Sequence, residues 1–200
     1  FKKEVSPDTG CCLKTNNINV AIRLEILSPV YAETIFSLID KNRAYLRKFL
    51  GWVDSTKSPE DSYAYIRGAL KLYAEKKEIT YFIFLKDELV GTTSIWIKNE
   101  DTGVCEIGYW ICESASGLGV TTLCARELMK LGFECFSAEK IEISCSTVNA
   151  GSNRIAEKLG MKLEGTFRRA ENVNGIMYDH NVYGILREEF SRMQAGAMTP

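Results

Sequence analysis

The sequence predicts a mixed α/β fold: one domain with a central, mostly antiparallel sheet flanked by helices. Three observations carry this. Short runs rich in β-branched and aromatic residues, bounded by turn-like residues, recur at 79–85, 89–98 and 105–112. Between such runs, apolar residues recur at helical spacing, as at Tyr63, Ile66, Leu70 and Tyr73. Near the C-terminus, two strand-like runs meet around Asn174-Gly175, a dipeptide that favours tight hairpin turns. The order along the chain reads β-αα-α-β-β-β-α-β-α-β-β.

Residues 1–17 show no periodicity and read as a loosely held arm. In 18–26, Ile18, Val20, Ile22 and Leu24 fall on one face of a first strand. Ser28 then caps a helix with Pro29 at its first position, and Tyr31, Ile35, Leu38 and Ile39 form the apolar stripe. A second short helix spans 42–50, with Tyr45, Leu46 and Phe49 inward, and Gly51 stops it. Ser58-Pro59-Glu60-Asp61 opens a third helix with a capped, acidic first turn. Strands at 79–85 and 89–98 pair across a turn at 86–88, and 99–103 turns into the strand at 105–112. A helix follows from Gly119, with Leu123, Leu128, Leu131 and Phe133 on its apolar side. Residues 140–148 form the next strand, 149–159 a helix ending at Gly160, and 161–169 with 176–187 a closing hairpin. The domain therefore spans 18–190, and 191–200 reads as a frayed tail.

Composition narrows the function. The formal net charge is −1, so no whole-chain basic field points to nucleic acid or a membrane surface. No apolar run reaches bilayer-spanning length, and a cytoplasmic location is expected. The seven cysteines show no Cys-x-x-Cys spacing and there is one histidine, so no metal site is expected. An odd cysteine count fits reduced thiols. Nothing resembles a Ser-His-Asp or Cys-His constellation.

One stretch carries chemistry. Between the strand at 105–112 and the following helix stand Gly117 and Gly119. Glycines admit close approach to the backbone, and the free N–H groups and dipole of a helix start favour an anion. The turn suits a diphosphate or is simply a tight turn. It is no dinucleotide fingerprint, since Thr122 replaces the third glycine, and no P-loop, since no Gly-Lys-Ser/Thr follows.

Three ordered blocks resolve that choice. Glu106-Ile107-Gly108-Tyr109-Trp110-Ile111 with Ser116-Gly117-Leu118-Gly119-Val120-Thr121-Thr122 resembles the acyl-CoA motif of the GNAT superfamily of N-acetyltransferases, RimJ/RimL type. The stretch from Asn149 through Ser152 and Gly160 to Glu164-Gly165 and Arg168 is similar to a second family segment, and 174–183 to its final hairpin. In that family's loop, Ser116 stands where Gln or Arg is usual and Thr121 where Gly or Ala is usual.

The resemblance implies a GNAT-like domain in which the strands at 105–112 and 140–148 splay apart, with acetyl-CoA as cofactor between them. Backbone at Trp110, Ile111 and Cys112 would hold the pantetheine, residues Ser116, Gly117, Leu118, Gly119, Val120 and Thr121 the diphosphate, and Asn149 and Ser152 the other wall. Asn149 also reads as a plain helix cap. Glu106 and Glu171 are the implied bases, each with an ordinary surface or ion-paired glutamate as the plainer reading. Ser152 is the implied acid, with Tyr183 or Tyr178 as substitutes, and a backbone N–H near Ile111 would serve the oxyanion. Substrate contacts are expected from Asn42, Arg43, Tyr45, Trp52, Arg168, Arg169, Asn172 and Tyr178. His180 reads as an edge-strand histidine or a substrate contact.

The implied reaction is direct acetyl transfer to an amine, the N-terminal α-amine of a ribosomal protein being the family's typical target. Two alternatives stay open: a small amine such as a polyamine, antibiotic or amino-acid derivative, and a non-catalytic acyl-CoA-binding module. A homodimer also stays open. No nucleic-acid or membrane partner is expected.

Overall fold

The computed structural model describes residues 11–13 and 22–196. Among them, eight strands form one sheet: β1 (Cys11–Leu13), β2 (Ile22–Ile26), β3 (Glu78–Leu85), β4 (Glu88–Asn99), β5 (Val104–Ile111), β6 (Lys140–Ser146), β7 (Lys162–Val173) and β8 (Ile176–Leu186). The order across the sheet is β1-β2-β3-β4-β5-β6-β8-β7. Every described pairing is antiparallel except β5 with β6. The helices are α1 (Ala32–Lys41), α2 (Arg43–Leu46), α3 (Pro59–Ala74), α4 (Val120–Glu134), α5 (Ala150–Lys158) and α6 (Arg187–Gly196). None is long and apolar enough to cross a membrane.

The helices cover opposite faces of the sheet. Ile35, Ile39 and Leu46 pack with Val53, Ile66 and Ala69 against Phe82 and Phe84 on one face. Val120, Cys124, Leu128 and Met129 of α4 and Ala156 of α5 pack against Ile95, Ile107, Ile141 and Ile143 on the other.

The fork implied by the resemblance is present. The parallel ladder holds three pairs, Val104↔Lys140, Cys105↔Ile141 and Glu106↔Glu142. Beyond them β5 continues along β4 to Ile111, while β6 continues along β8 to Ser146. An ion cluster sits at the crotch. Lys98 Nζ lies 3.1 Å from Glu106 and 2.8 Å from Glu142, and Lys140 Nζ lies 2.6 Å from Glu142 and 2.8 Å from Glu164. Glu142 is only 8% exposed, so its two lysine partners offset the cost of burying a charge.

Several sequence expectations need adjustment. Of the predicted first strand, 22–26 is seen and 18–21 lie outside the described residues. Pro29 starts a single 3-10 turn (Pro29–Tyr31) before α1, and the Ser28 side chain makes no cap bond. In α3, Ile66 is buried as expected, but Tyr63 faces solvent at 45% exposure, and Ser62 and Ala69 are buried in its place. The acidic cap was read correctly: the Asp61 carboxylate accepts from the Ser58 N–H at 3.0 Å. Cys11–Leu13 of the expected arm pair with β2, the rest of 1–17 lying outside the described residues. The tail is corrected from 191 to 196. These residues continue α6, which Phe190 anchors by stacking on Phe133 at 4.9 Å and Arg187 by donating to the Phe133 carbonyl at 2.9 Å. Residues 197–200 lie outside the described residues.

Candidate active site

Where β5 and β6 part, a cleft of about 1150 Å3 opens through the sheet. One side is formed by the β5 end, the glycine turn and the α4 and α5 starts. The other is formed by α2, the loop to α3, and β8 with β7.

Ser116, Gly117, Gly119, Val120, Thr121 and Thr122 line the first side. Gly117 and Gly119 adopt φ of +77° and +79°, where a side chain is strained. A Cβ built on either meets nothing within 4 Å. The first helical bond of α4 runs from the Leu123 N–H to the Gly119 carbonyl, so the amides before it are the unpaired donors of a helix start. This open, amide-lined turn fits a diphosphate. Tyr45 donates to Ser116 Oγ at 3.1 Å, so the serine in the usual Gln/Arg position ties the loop to α2.

Along the fork, Tyr109, Trp110 and Ile111 line the cleft. Cys112 is a correction: its N–H already donates to the Val90 carbonyl at 2.7 Å, so that amide is not free to hold pantetheine. Leu118 is exposed beside the cleft without lining it. Opposite, Asn149 caps α5 by accepting from the Ser152 N–H at 3.1 Å, and both residues line the cleft. The Ser152 hydroxyl lies 2.9 Å from the Tyr109 hydroxyl. Burial pushes the Tyr109 phenol above its ordinary range against the opposing Ser152 bond, so it stays a proton donor at neutral pH. Burial raises the Cys145 thiol likewise.

On the second side, Tyr45, Trp52, Glu171 and His180 line the cleft. Trp52 tilts against Trp110 at 5.9 Å between ring centroids. Glu171 arrives by a bulge: pairing with β8 shifts between Phe167 and Glu171, and Arg169 takes φ +52°. Its Oε2 lies 3.1 Å from His180 Nε2.

Other expected residues are used elsewhere. Glu106 is held by Lys98 at the crotch and does not line the cleft. Asn42 joins α1 to the turn after β5, donating to the Leu38 carbonyl and accepting from the Glu113 N–H. Arg43 donates to the Val53 and Thr56 carbonyls and pairs with Asp40, holding the loop before α3. Arg168 is exposed outside the cleft, and Tyr178 packs with Phe49 in a neighbouring shallow hollow. The sequence reading missed Arg154 and Lys158, which line the cleft together with Gly151 and Ile155. Their i, i+3, i+4, i+7 spacing from Gly151 was the available signal. Trp96 was missed because its ring reaches across the side-chain-free Gly108.

A forked sheet with an amide-rich anion turn at one end and a hydroxyl pair facing a carboxylate–imidazole pair defines an acyltransferase class that uses a phosphorylated thioester donor. Comparison makes this specific. Residues 22–162 match the acetyltransferase (GNAT) domain family, and the chain belongs to it. It is an N-acetyltransferase with acetyl-CoA as its acetyl donor. The ribosomal-protein-serine acetyltransferase of Escherichia coli K12 is 28% identical over 170 residues, covering 85% of this chain and 95% of that protein. RimL, a ribosomal L7/L12 α-N-protein acetyltransferase solved with coenzyme A, superposes with a TM-score of 0.78 at 27% identity, covering 82% and 93% of the two chains. The microcin C7 self-immunity acetyltransferase MccE, solved with acetyl-CoA and AMP, gives 0.78 at 28% identity, covering 82% and 92%.

Proposed function

We propose that the chain acetylates the N-terminal α-amine of a protein, with ribosomal proteins as the substrate class. The fork carries the acetyl-transfer part of this reading, and the likeness to the E. coli ribosomal-protein enzyme supports the acceptor. The turn around Gly117–Thr121 grips the diphosphate, Arg154 and Lys158 add positive charge, and the free inner edges of β5 and β6 take the amide-rich arm as an added strand. When bound, acetyl-CoA supplies an activated acetyl group on sulfur. The Tyr109–Ser152 hydroxyl pair supplies the proton that the departing sulfur needs. Glu171, across the cleft, receives the amine. An α-amine has a pKa near ~8 against ~10.4 for lysine, so the N-terminus reaches its neutral, attacking form with less help. Similarity across nearly the whole length of the E. coli ribosomal-protein enzyme supports the protein acceptor.

A second reading, a small amine such as an antibiotic or amino-acid derivative, is favoured by Trp52, Trp96 and Trp110 on the cleft walls and by the likeness to MccE, a microcin C7 self-immunity acetyltransferase. Trapping free thiol from acetyl-CoA against a panel of N-terminal peptides and small amines separates the two. Turnover with peptides supports the first, and turnover with amines alone removes it.

A further inference from the structure

Among the described residues, Arg154 and Lys158 are the only arginine or lysine side chains that line the cleft. They stand four positions apart on α5, so they share one helix face. Gly151 and Ile155 complete the part of that face bordering the cleft. The other face is turned to the core through Asn153 and Ala156. Both cations are exposed, and among the described residues neither has an ion pair or a side-chain hydrogen bond. Glu157, the one acid in α5, is paired with neither.

This separates them from the other basic groups around the fork. Lys98 is held by Glu106 and Glu142, and Lys140 by Glu142 and Glu164. Arg43 is held by Asp40 and two loop carbonyls. Two like charges one helical turn apart, ~6 Å along the axis, repel each other and weaken the helix that carries them. An anion between them removes that cost.

CoA carries two kinds of anionic group. Each phosphorus of the diphosphate bears one charge, and the turn around Gly117–Thr121 meets it with neutral backbone amides; residues 116–122 contain no cation. The 3′-phosphate on the ribose is a monoester, with a charge of about −1.5 to −2 at neutral pH. Such a group calls for full positive charges, the planar guanidinium above all, because its fork matches two phosphate oxygens. The cleft supplies amides at one place and paired cations at another, one set for each kind of phosphate.

We propose that Arg154 and Lys158 bind the 3′-phosphate of CoA, so that the enzyme selects CoA over its 3′-dephospho form. This rests on acetyl-CoA as the donor and is independent of which amine accepts the acetyl group. A rival role for both side chains is to strengthen the hold on the diphosphate. A rival for Lys158 alone, the last residue of α5, is to complement the negative end of the helix. The two forms of CoA share the diphosphate and differ only at the 3′ position, so comparing them separates these roles.

Titration calorimetry of the whole chain with CoA and with 3′-dephospho-CoA is the test. The wild type should bind CoA at least about tenfold more tightly, the low end for hydrogen bonds to charged groups because both side chains are exposed. Added salt should shrink that preference, since exposed charges are screened. The double variant R154Q/K158Q should lose the preference through weaker CoA binding alone. Its affinity for 3′-dephospho-CoA should stay within about threefold of wild type, because the amides of the turn are untouched. The charge-keeping K158R should retain the preference. Thermal melts without ligand should show R154Q/K158Q no less stable than wild type, as a repelling pair is gone. Equal binding of the two forms by the wild type would overturn the inference. So would an equal loss of both in R154Q/K158Q, which would move the cations to the diphosphate. If the wild type binds neither form, the donor site itself fails and the inference with it. Should the double variant not fold, the wild-type preference and its salt dependence still decide.

Discussion

Replacing Gly119 tests the anion turn directly. Gly119 has φ +79° and ψ 0°, and space above it is open to 4 Å. Any L-residue other than Asn or Asp there costs about 1–2 kcal/mol in backbone strain. Against a typical stability of about 5–15 kcal/mol, G119A and G119W should both fold. For a chain of this size their Tm should fall by roughly 2–8 °C. Their ligand binding should differ, because only the indole fills the space that the turn leaves open. Hydrogen bonds to a charged group contribute about 1.5–3 kcal/mol each. Blocking two amides therefore removes about 3–6 kcal/mol, a loss of roughly 10²- to 10⁴-fold in CoA affinity. Titration calorimetry with CoA, beside thermal melts of both variants, reads the two effects separately. A folded G119W that binds CoA within about threefold of wild type refutes the diphosphate site.

Four further outcomes are expected. Y109F breaks the bond to Ser152 and removes one hydroxyl of the pair proposed to protonate the departing sulfur, so kcat should fall about tenfold or more with CoA affinity unchanged, measured by steady-state thiol release. Asn153, 9% exposed, donates to the Ser146 and Asn149 carbonyls and accepts from Tyr183 and Asn181. N153A leaves several buried groups unpaired and should cost about 2–4 kcal/mol, lowering Tm by roughly 5–15 °C in a calorimetric scan. Burial disfavours the Glu142 carboxylate, but hydrogen bonds and charges from Lys140 and Lys98 outweigh it and hold the carboxyl below its ordinary value. Stability from that lowered group is present above its unfolded pKa of about 4.3 and is lost as pH falls through the folded one. Denaturant unfolding across the acid range should therefore show a component that E142Q lacks. Finally, a Cβ at Gly91 would sit 2.1 Å from the Trp110 carbonyl oxygen, so G91A should open the β4–β5 pairing and abolish cooperative unfolding followed by circular dichroism.

Much of the fold was legible because its signals are local. Runs of β-branched and aromatic residues placed β3, β4 and β5, the Ser58–Asp61 cap placed α3, and Asn174-Gly175, both at positive φ, closed the hairpin. What stayed hidden depends on pairing across the sheet. Arg43 looked free to meet a substrate, yet it donates to the Val53 and Thr56 carbonyls that only the folded loop brings near, and Asn42 accepts from the Glu113 N–H, 71 residues away. Glu106 faced the expected gap until Lys98, from the neighbouring strand, claimed it. Glu171 and His180 lie nine positions apart, and no periodicity announces that a bulge will bring them into contact.

The short parallel ladder has a consequence for how such a chain diverges. Past Glu106 and Glu142, the facing edges of β5 and β6 offer main-chain groups, and main-chain groups are the same whatever residue carries them. Side-chain drift along these strands therefore leaves the grip on the acetyl donor largely intact. The opposite wall is built from side chains such as Trp52, Glu171 and His180, so on the proposed reading substitutions there would change which amine fits while leaving the donor half as it was.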